Sequence, residues 1–477
     1  MAVINSEELE QLFIKALPFE PTAGQSGFIR HMADFIVNGS ERSLFVLRGY
    51  AGTGKTSMMN VLVKVLPRLN MQVVLLAPTG RAAKVLSNYT RFPAFTVHKK
   101  IYRKKGAAEG TFAFSLQENI HRNTLFIVDE ASMVGEGGGL SGGLDRRTSL
   151  LDDLFSYVNS GDNCRLVFVG DTAQLPPVGL SISPALNAQY LHKNFHEETY
   201  EYELKDVMRQ ADNSGILVNA TRLRIQLLQR EGKFPRLDFK GYADVLKVEG
   251  MDLEEMLNRS YREVGTDGVL VICRSNKRAN QYNQQIRARI RWQESDISAG
   301  DYLMAVKNNY SWLPAESKAG FIANGDMLQI NKIGKRYEMH GFEFVDARLK
   351  LVDYPDEEEF SARLMLDTLK SEAPSLTQEQ ARKLYEAVEA DYADEPSRFK
   401  RAQQIKNDPF YASLQVKFAY AITCHKAQGG QWPHIYIDLG YFTEDMLNDD
   451  FFRWLYTAFT RATEKVFLLN FRNEFFE

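Results

Sequence analysis

The chain has few cysteines, no long apolar run and almost no net charge. Its three cysteines, Cys164, Cys273 and Cys424, lie far apart, with no CxxC pair and no Cys/His cluster at zinc spacing. That spacing predicts buried free thiols, a reducing compartment and no structural metal. No stretch approaches roughly 18 uninterrupted apolar residues, and the N-terminal segment lacks the charged-then-apolar pattern of a signal peptide. We therefore expect an intracellular, cytoplasmic protein with no membrane partner.

The net charge of −3, from 58 basic and 61 acidic residues, excludes a protein that coats nucleic acid through overall basicity. Any contact with nucleic acid must instead come from a local groove. The 477 residues exceed what one hydrophobic core usually serves, and the 44% hydrophobic fraction is typical of a globular chain. We therefore expect about two to four well-packed domains.

Seven apolar runs predict two parallel sheets. Continuous apolar strands that alternate with helical segments are typical of strands buried on both faces. The first four runs predict one sheet, and the last three predict a second sheet with an insertion. The runs are residues 43–47, 72–77, 124–129, 165–171, 269–273, 434–439 and 465–471.

The pattern changes within the second half of the chain. Residues 301–353 contain short apolar runs with turns between them, which predicts a small all-β module. Residues 356–406 are charged and predict helices, with a capping box from Thr377 to Gln380. Earlier in the chain, residues 135–147 are rich in glycine and predict a flexible loop.

A glycine-rich turn follows the first apolar run. It satisfies G-x-x-x-x-G-K-[ST], with a strand before it and a helical segment after it. Such glycines let backbone N–H groups surround a phosphate, while Lys55 reaches the β- and γ-phosphates and Thr56 binds Mg²⁺. A chance match is expected roughly two times in a hundred for a chain of this length, before that context is required. The motif predicts a nucleoside triphosphate site. Its residues are Gly49, Gly52, Thr53, Gly54, Lys55, Thr56 and Ser57.

Two adjacent carboxylates end the third apolar run, in LFIVDEAS at 125–132. Asp129 at the strand end can hold Mg²⁺, which leaves Glu130 to orient and deprotonate an attacking water. A kinase must keep water out of its site. An acidic base beside Mg²⁺ therefore favours hydrolysis of the nucleotide.

Nine further segments follow one another along the chain: PTAGQSGF (21–28), APTGRAAKVL (77–86), TVH (96–98), GDTAQLPPVG (170–179), LKDVMRQ (204–210), NNYSWLP (308–314), FIANGDMLQI (321–330), YAITCHKAQGGQW (420–432) and YTAFTRA (456–462). Together with the P-loop and the acidic pair, these motifs from Gln25 to Arg461 resemble the superfamily 1B DNA helicases of the RecD, Dda and petite-integration-frequency kind. The acidic motif is DEASM and not the DEFQD type of UvrD-like helicases, which favours the B branch. The resemblance implies an α/β fold with two RecA-like parallel-sheet P-loop NTPase domains, an inserted SH3-like β module and a helical extension.

The resemblance also implies domain boundaries. The first RecA-like domain would cover residues 1–200, with a short hairpin region at about 99–120. The second would combine residues 201–295 and 413–477, and the inserted domain would cover residues 296–412. The basic segment 103–112 falls where the family places a strand-separating hairpin.

On the nucleotide side, the resemblance gives roles to residues outside the P-loop. The Gln25 amide would read the adenine edge, while Asp171 and Gln174 would sense the γ-phosphate and pass its presence to the DNA side. Arginines from the second domain would neutralise charge that develops on the γ-phosphoryl group, a task that suits a guanidinium fork. The later residues implied at the nucleotide are Arg209, Gln428, Gly429 and Arg461.

On the DNA side, the resemblance implies contacts with the sugar-phosphate backbone. Small hydroxyl residues and exposed N–H groups can make such contacts without reading sequence. Two aromatic residues of the inserted module are candidates for stacking on bases. The implied DNA residues are Pro78, Thr79, Thr96, His98, Tyr310, Trp312, Asn324, Thr423, His425 and Lys426.

The implied activity is that of an ATP-dependent helicase that moves 5′→3′ on single-stranded DNA and unwinds duplex junctions. It would act as a monomer, with ATP and Mg²⁺, inside a bacterium or a phage-infected cell, alongside replication or recombination proteins. Two alternatives stay open. An RNA-directed relative would use the same phosphate contacts, and a recombination accessory would use ATP only to clamp DNA. Glu130 and Arg461 argue against the clamp, which does not need fast hydrolysis.

Overall fold

The computed structural model describes residues 4–104, 114–135, 138–142, 146–207, 214–229, 234–314, 316–317 and 319–476. Within these ranges, no helix has the length and apolar content of a membrane span. All three cysteines are buried and free, as their spacing predicts.

The elements of the first half alternate between strands and helices. The strands are β1 (Ser43–Gly49), β2 (Gln72–Ala77), β3 (Ala94–Thr96), β4 (Tyr102–Lys104), β5 (Phe114–Leu116), β6 (Arg122–Val128), β7 (Gly138–Gly142), β8 (Arg146–Ser149), β9 (Asp162–Gly170) and β10 (Glu198–Leu204). The helices are α1 (Ser6–Ala16), α2 (Ala23–Asn38), α3 (Lys55–Val65), α4 (Gly80–Thr90), α5 (Val97–Ile101), α6 (Leu150–Asn159) and α7 (Ala188–Phe195).

The second half contains ten more strands. They are β11 (Val245–Val248), β12 (Val269–Cys273), β13 (Tyr302–Ala305), β14 (Met327–Met339), β15 (Phe342–Leu351), β16 (Phe360–Met365), β17 (Leu414–Phe418), β18 (Ala421–Thr423), β19 (Trp432–Asp438) and β20 (Ala462–Leu469). The helices are α8 (Gly215–Gln229), α9 (Leu253–Val264), α10 (Asn276–Gln285), α11 (Asp367–Lys370), α12 (Gln378–Asp391), α13 (Arg398–Asn407), α14 (Cys424–Ala427) and α15 (Asp449–Phe459).

Six strands form the first sheet in the order β10-β1-β9-β6-β2-β3, and every pair is parallel. Two separate apolar clusters lie on its two faces. The first four predicted runs form β1, β2, β6 and β9, which confirms the prediction from continuous apolar strands. The sequence analysis missed β10, since ETYEYEL alternates polar and apolar residues at the edge of the sheet. Because β10 ends at Leu204, the first sheet extends past the expected boundary at residue 200.

Five strands form the second sheet in the order β11-β20-β19-β12-β18, again all parallel. The last three predicted runs form β12, β19 and β20. Each domain therefore has a parallel sheet covered by helices, which confirms the expected pair of RecA-like domains.

A closed barrel of β13 to β17 is inserted into the second domain. The three strands expected within 301–353 are confirmed as β13, β14 and β15. The all-helical prediction for 356–406 is wrong in part, because β16 lies there and buries most of its side chains in the barrel wall. β17 closes the barrel by pairing with β13 and β16, so the barrel extends six residues past the expected boundary at 412. The capping box from Thr377 to Gln380 is confirmed at the start of α12.

Two antiparallel strand pairs lie in the first domain outside the main sheet. β4 and β5 pair in the expected hairpin region, while residues 105–113 lie outside the described residues, so most of the proposed strand-separating segment stays a prediction. β7 and β8 pair where the glycine-rich sequence predicts a flexible loop. The described backbone there forms a ladder, because glycine is compatible with an extended strand as well as with a loop.

The barrel shares one continuous apolar core with the second sheet. It also touches α4 of the first domain, where Asp353 is buried between Arg81 and Lys84 at 3.6 and 3.8 Å. Neither oxygen of that carboxylate accepts a hydrogen bond in the described residues, and burial raises the Asp353 pKa. The Arg81 guanidinium also lies 4.1 Å from the centre of the Trp432 ring. Helix α4 therefore contacts both the second domain and the barrel.

Candidate nucleotide cleft and nucleic-acid groove

A cavity of about 350 Å³ lies between the two parallel sheets. One wall comes from the P-loop, the start of α3 and the end of β6. The opposite wall comes from the segment before β19 and the junction of α15 with β20. Among the predicted site residues, the cavity is lined by Gly52, Gly54, Lys55, Thr56, Ser57, Asp129, Glu130, Asp171, Gln174, Gly429 and Arg461.

The P-loop has the tight turn that its glycines predict. Gly52 and Gly54 have φ values of 76° and 87°, in the left-handed region that favours glycine. Lys55 begins α3 and donates from Nζ to the carbonyl oxygens of Gly49 and Tyr50, at 2.7 and 3.0 Å. The Thr53 hydroxyl donates to the same Tyr50 carbonyl at 2.8 Å. The loop is therefore curled around the lysine ammonium, beside a helix N-terminus suited to phosphate.

The acidic pair follows β6 on the same side of the cavity. Glu130 has a φ of 50°, an uncommon backbone conformation for a residue with a side chain. Desolvation chiefly, and then the neighbouring Glu130 carboxylate, raise the pKa of Asp129, while Lys55 and Arg461 oppose this. A bound cation would favour the ionised carboxylate. The Thr56 hydroxyl and the Asp129 carboxylate line the same cavity and supply the oxygen ligands that Mg²⁺ prefers, so the residues present fit that ion.

Arg461 enters the cavity from the second domain and is only 3% exposed. Its Nε donates to the Thr457 carbonyl at 3.2 Å, and a terminal nitrogen donates to the Gly430 carbonyl at 3.3 Å. That nitrogen also lies 3.5 Å from Oε1 of Glu130. The arginine thus contacts both walls of the cleft, and its role at the γ-phosphoryl group stays a prediction. Arg209 lies outside the described residues, so its role stays a prediction.

Tyr456 of α15 makes a second bridge, which the sequence analysis missed. Its buried hydroxyl donates to Oδ2 of Asp171 at 2.6 Å and accepts from the Ala51 N–H of the P-loop at 2.9 Å. Burial raises the pKa of Asp171, whereas Lys55 and the tyrosine hydroxyl lower it. The one sequence feature that points to Tyr456 is its position in the YTAFTRA segment, five residues before Arg461.

Further contacts join the same helix to the segment after β9. The Leu175 N–H donates to the Thr457 hydroxyl at 2.9 Å, and the Leu175 carbonyl accepts from Gln428 at 2.7 Å. Gln174 is 5% exposed, and its Oε1 has no hydrogen-bond partner in the described residues. A buried polar atom of this kind is costly unless a ligand satisfies it. The role of Gln174 as a γ-phosphate sensor stays a prediction.

Gln25 is buried behind the P-loop rather than in the cavity lining. Its Nε2 donates to the Thr53 carbonyl at 3.3 Å, and its Oε1 accepts from the Thr22 N–H at 3.1 Å. The amide nitrogen thus joins α2 to the P-loop, and the amide oxygen completes a capping box with Thr22 at the start of α2. Adenine recognition by Gln25 stays a prediction.

Gly429 is a point of close approach between the domains. Its φ is 73°, and a Cβ there would lie 2.8 Å from the Ala82 Cβ and 3.2 Å from the Thr79 hydroxyl. A larger residue would therefore push the second domain away from α4.

Four of the ten predicted DNA residues fall into two groups. Thr79 and Thr96 use their hydroxyls to cap α4 and α5, accepting from the N–H groups of Ala82 and Lys99. Thr423 and His425 line a second cavity, of about 810 Å³, which we call the central groove. Desolvation lowers the pKa of His425, and Asp450 partly offsets this effect. The remaining walls of the groove are Leu175 to Ser181, Cys273, Arg274, Cys424, Asp445, Met446, Asn448, Asp450, Phe451 and Trp454.

The aromatic candidates are used within the barrel. Trp312 donates from its indole nitrogen to the Ala412 carbonyl at 2.7 Å and packs on the barrel core. The Tyr310 ring lies 4.8 Å from the Phe321 ring, which in turn lies 6.4 Å from the imidazole of His98. DNA contacts by these residues stay predictions, as do those of Pro78, Asn324 and Lys426.

Comparisons with known proteins show that the chain is similar to helicases. Residues 22–230 match a family model described as an AAA domain, and residues 418–469 match one described as a UvrD-like helicase C-terminal domain. The chain is 25% identical over 342 residues to the ATP-dependent RecD2 DNA helicase of Deinococcus radiodurans, covering 69% of this chain and 43% of the relative. It is 29% identical over 182 residues to the ATP-dependent DNA helicase dda of Enterobacteria phage T4, covering 37% of each.

The chain thus spans less than half the length of these two curated relatives. A solved structure of the Pif1 helicase from Bacteroides in complex with ADP-AlF3 and ssDNA is 13% identical, with a TM-score of 0.47, and covers 94% of this chain and 93% of that one. The two family models and the two curated relatives are consistent with a superfamily 1B helicase of the RecD and Dda kind.

Proposed function

We propose that the protein hydrolyses ATP to move 5′→3′ along single-stranded DNA, and that it unwinds duplex DNA at junctions. The observation that carries this proposal is the cleft itself, with Lys55 and Glu130 on one wall and Arg461 on the other. Both walls come from one chain, which supports action as a monomer. The relatives' names refer to DNA helicases, which supports DNA as the substrate.

In the proposed chemistry, Lys55 holds the β- and γ-phosphates, and Thr56 and Asp129 would hold Mg²⁺. The ion would neutralise phosphate charge when bound. Glu130 accepts a proton from the attacking water. Arg461 exchanges its contact with Glu130 for the γ-phosphoryl oxygens, where a guanidinium stabilises the developing charge. Since the acids and the arginine come from different domains, only a closed cleft is fully active.

ATP hydrolysis would be coupled to DNA movement through the chain segment that lies beside the γ-phosphate position. Asp171 and Gln174 lie on the segment that continues into the wall of the central groove at Leu175 to Ser181. A shift of Tyr456 or Thr457 on release of phosphate would therefore move that wall. Alternate gripping and release by the two domains would give directional movement.

Polarity is tested with singly tailed duplexes at fixed moderate salt, since phosphate-based affinity falls steeply as salt rises. We expect strand displacement from a duplex with a 5′ single-stranded tail and little from one with a 3′ tail. A preference for the 3′ tail would overturn the direction while leaving the ATPase assignment intact. The preference for DNA over RNA is tested by comparing the ATP turnover that single-stranded DNA and RNA of equal length stimulate. Equal stimulation by RNA would contradict the assignment of DNA as the substrate.

The Tyr456 bridge predicts an effect on coupling. Tyr456→Phe removes the hydroxyl and leaves the buried Asp171 carboxylate and the Ala51 N–H without that partner, at a cost of about 1–3 kcal/mol. We expect DNA-stimulated ATP turnover to fall roughly tenfold or more, with a smaller change in basal turnover. The measurement is the ratio of stimulated to basal phosphate release, with Tyr385→Phe on α12 as the matched control. An unchanged ratio in the Tyr456 variant would show that the bridge plays no part in coupling.

A further inference from the structure

Three cavities adjoin along the carboxyl edge of the second sheet. The first is the central groove, and Arg274 lines both it and a second cavity of about 590 Å³. That second cavity shares Arg278, Gln281 and Asn470 with a third, of about 430 Å³. Residues just past the ends of β12, β19 and β20 line the second cavity, so the path crosses three neighbouring strands. We call the second and third cavities together the side groove.

The side groove begins at a cation without a paired acid. The Arg274 guanidinium lies 5.5 to 5.8 Å from the ring centres of Phe442, Phe451 and Trp454, and it donates to the Tyr441 carbonyl at 3.5 Å. It makes no ion pair in the part of the chain that the structure describes, and desolvation lowers its pKa. A phosphate at this point would supply the missing counter-charge.

The rest of the side groove carries an excess of positive charge. Asp438 is fully buried and is neutralised by Arg278 at 2.7 Å, so it does not repel an anion. Lys277 has only Glu372 at 3.6 Å, and both side chains are 64% exposed, so this pair is weak. Arg289 is exposed and forms no ion pair within the described ranges. Glu254 is the one other carboxylate in the described lining.

Exposed large side chains accompany these cations. Tyr441 is 81% exposed in the second cavity, and Met251 is 89% exposed in the third. Basic grooves with exposed aromatic faces are how proteins hold single strands without sequence preference, because every base has a face that can stack. An acidic peptide would match the cations but would gain nothing from this sequence-independent stacking.

We propose that the side groove binds the single strand that leaves the central groove past Arg274, with Lys277 and Arg289 on phosphates and Tyr441 under a base. This inference rests on the proposed function, since it extends the path of the same DNA. The side groove lengthens the binding site by several nucleotides and adds no sequence preference. It holds, along this side of the second domain, the part of the DNA strand that the protein has already moved past.

The test compares labelled oligothymidylates of about 8 and about 16 nucleotides, lengths within the range of single-strand site sizes. The variants are the double substitution Lys277→Ala/Arg289→Ala and the single substitution Tyr441→Ala. Lys383→Ala is the matched control, because this lysine is 66% exposed on α12, away from both grooves, and pairs only with Glu379 at 2.8 Å. Affinity is measured by anisotropy at several salt concentrations, and ATP turnover is measured with the shorter oligonucleotide.

We expect the wild-type protein to bind the longer oligonucleotide more tightly. The double variant should lose that gain, and the slope of log affinity against log salt should fall by about 1.4 for the longer strand, since each single-strand phosphate contact contributes about 0.7. Tyr441→Ala should weaken binding of the longer strand roughly tenfold, as expected for one lost stacking contact. Binding of the shorter strand, and the turnover that it stimulates, should not change.

If the variants lose affinity equally for both oligonucleotides, or lose it for neither, the proposal that the side groove binds DNA would be overturned. A wild-type protein that binds both lengths equally would overturn it too, while the proposed helicase function would stand. A wild-type protein that binds neither oligonucleotide would overturn the proposed function as well as the side groove. Restoration of the longer-strand affinity by Lys277→Arg/Arg289→Lys would confirm that charge, and not local folding, carries the effect.

Discussion

Lys55→Ala is expected to abolish ATP turnover while the protein stays folded. The variant loses the ammonium that sits inside the P-loop at 2.7 and 3.0 Å from two carbonyl oxygens. Loss of this charge beside the β- and γ-phosphates should cost several kcal/mol in the transition state, on the order of a thousandfold in rate. Phosphate release, measured with and without single-stranded DNA, gives the result directly.

Lys64→Ala is the matched control for this variant, because Lys64 lies on the same helix and is exposed. Both variants should melt close to the wild-type temperature, since Lys55 contributes no apolar burial to the core clusters. Near-normal turnover by a folded Lys55→Ala protein would show that the P-loop does not serve hydrolysis.

The second large effect is expected for Glu130→Gln, which should bind ATP and DNA but hydrolyse ATP very slowly. The amide keeps the shape of the side chain and loses the base, a change worth roughly 10²- to 10⁴-fold in rate. It also removes the charge that faces Arg461 at 3.5 Å, so the arginine is released towards the γ-phosphate. The variant should therefore accumulate in the ATP-bound, closed form.

Binding of a fluorescent ATP analogue and single-turnover phosphate release separate the two effects. Glu118→Gln, an exposed change just before β6, controls for loss of a carboxylate near the same strand. If Glu130→Gln fails to bind nucleotide, the glutamate supports the fold of the site, and the water-activating role would have to be given up.

The sequence predicts the parts of this molecule that depend on local pattern. All seven continuous apolar runs form strands, because strands buried on both faces have no polar alternation to obscure them. The edge strand β10 and the barrel strand β16 were missed because both mix charged and apolar residues. Residues of β16 form a strand because they pair with β15 and β17 in the barrel, although their local propensity does not indicate a strand.

Contacts across the cleft could be predicted from the sequence less completely than the strands could. The P-loop lysine and the acidic pair follow from motifs whose spacing fixes their geometry. The Tyr456 to Asp171 hydrogen bond joins residues 285 positions apart, and only the packing of α15 against the first domain brings them together. The same holds for the hydrogen bonds from Gln25 to the Thr53 carbonyl and from Trp312 to the Ala412 carbonyl, which no sequence pattern indicates.

The buried Asp353 has a consequence for nucleotide exchange. Because the barrel shares its core with the second sheet, any opening of the cleft that carries the barrel away from α4 removes Arg81 and Lys84 from this carboxylate. As the two surfaces separate, water reaches the carboxylate and replaces the two cations, so the charge is not left buried without partners. The contact is therefore made in the closed cleft and lost in the open one, and it links the position of the barrel to the opening that release of ADP would need.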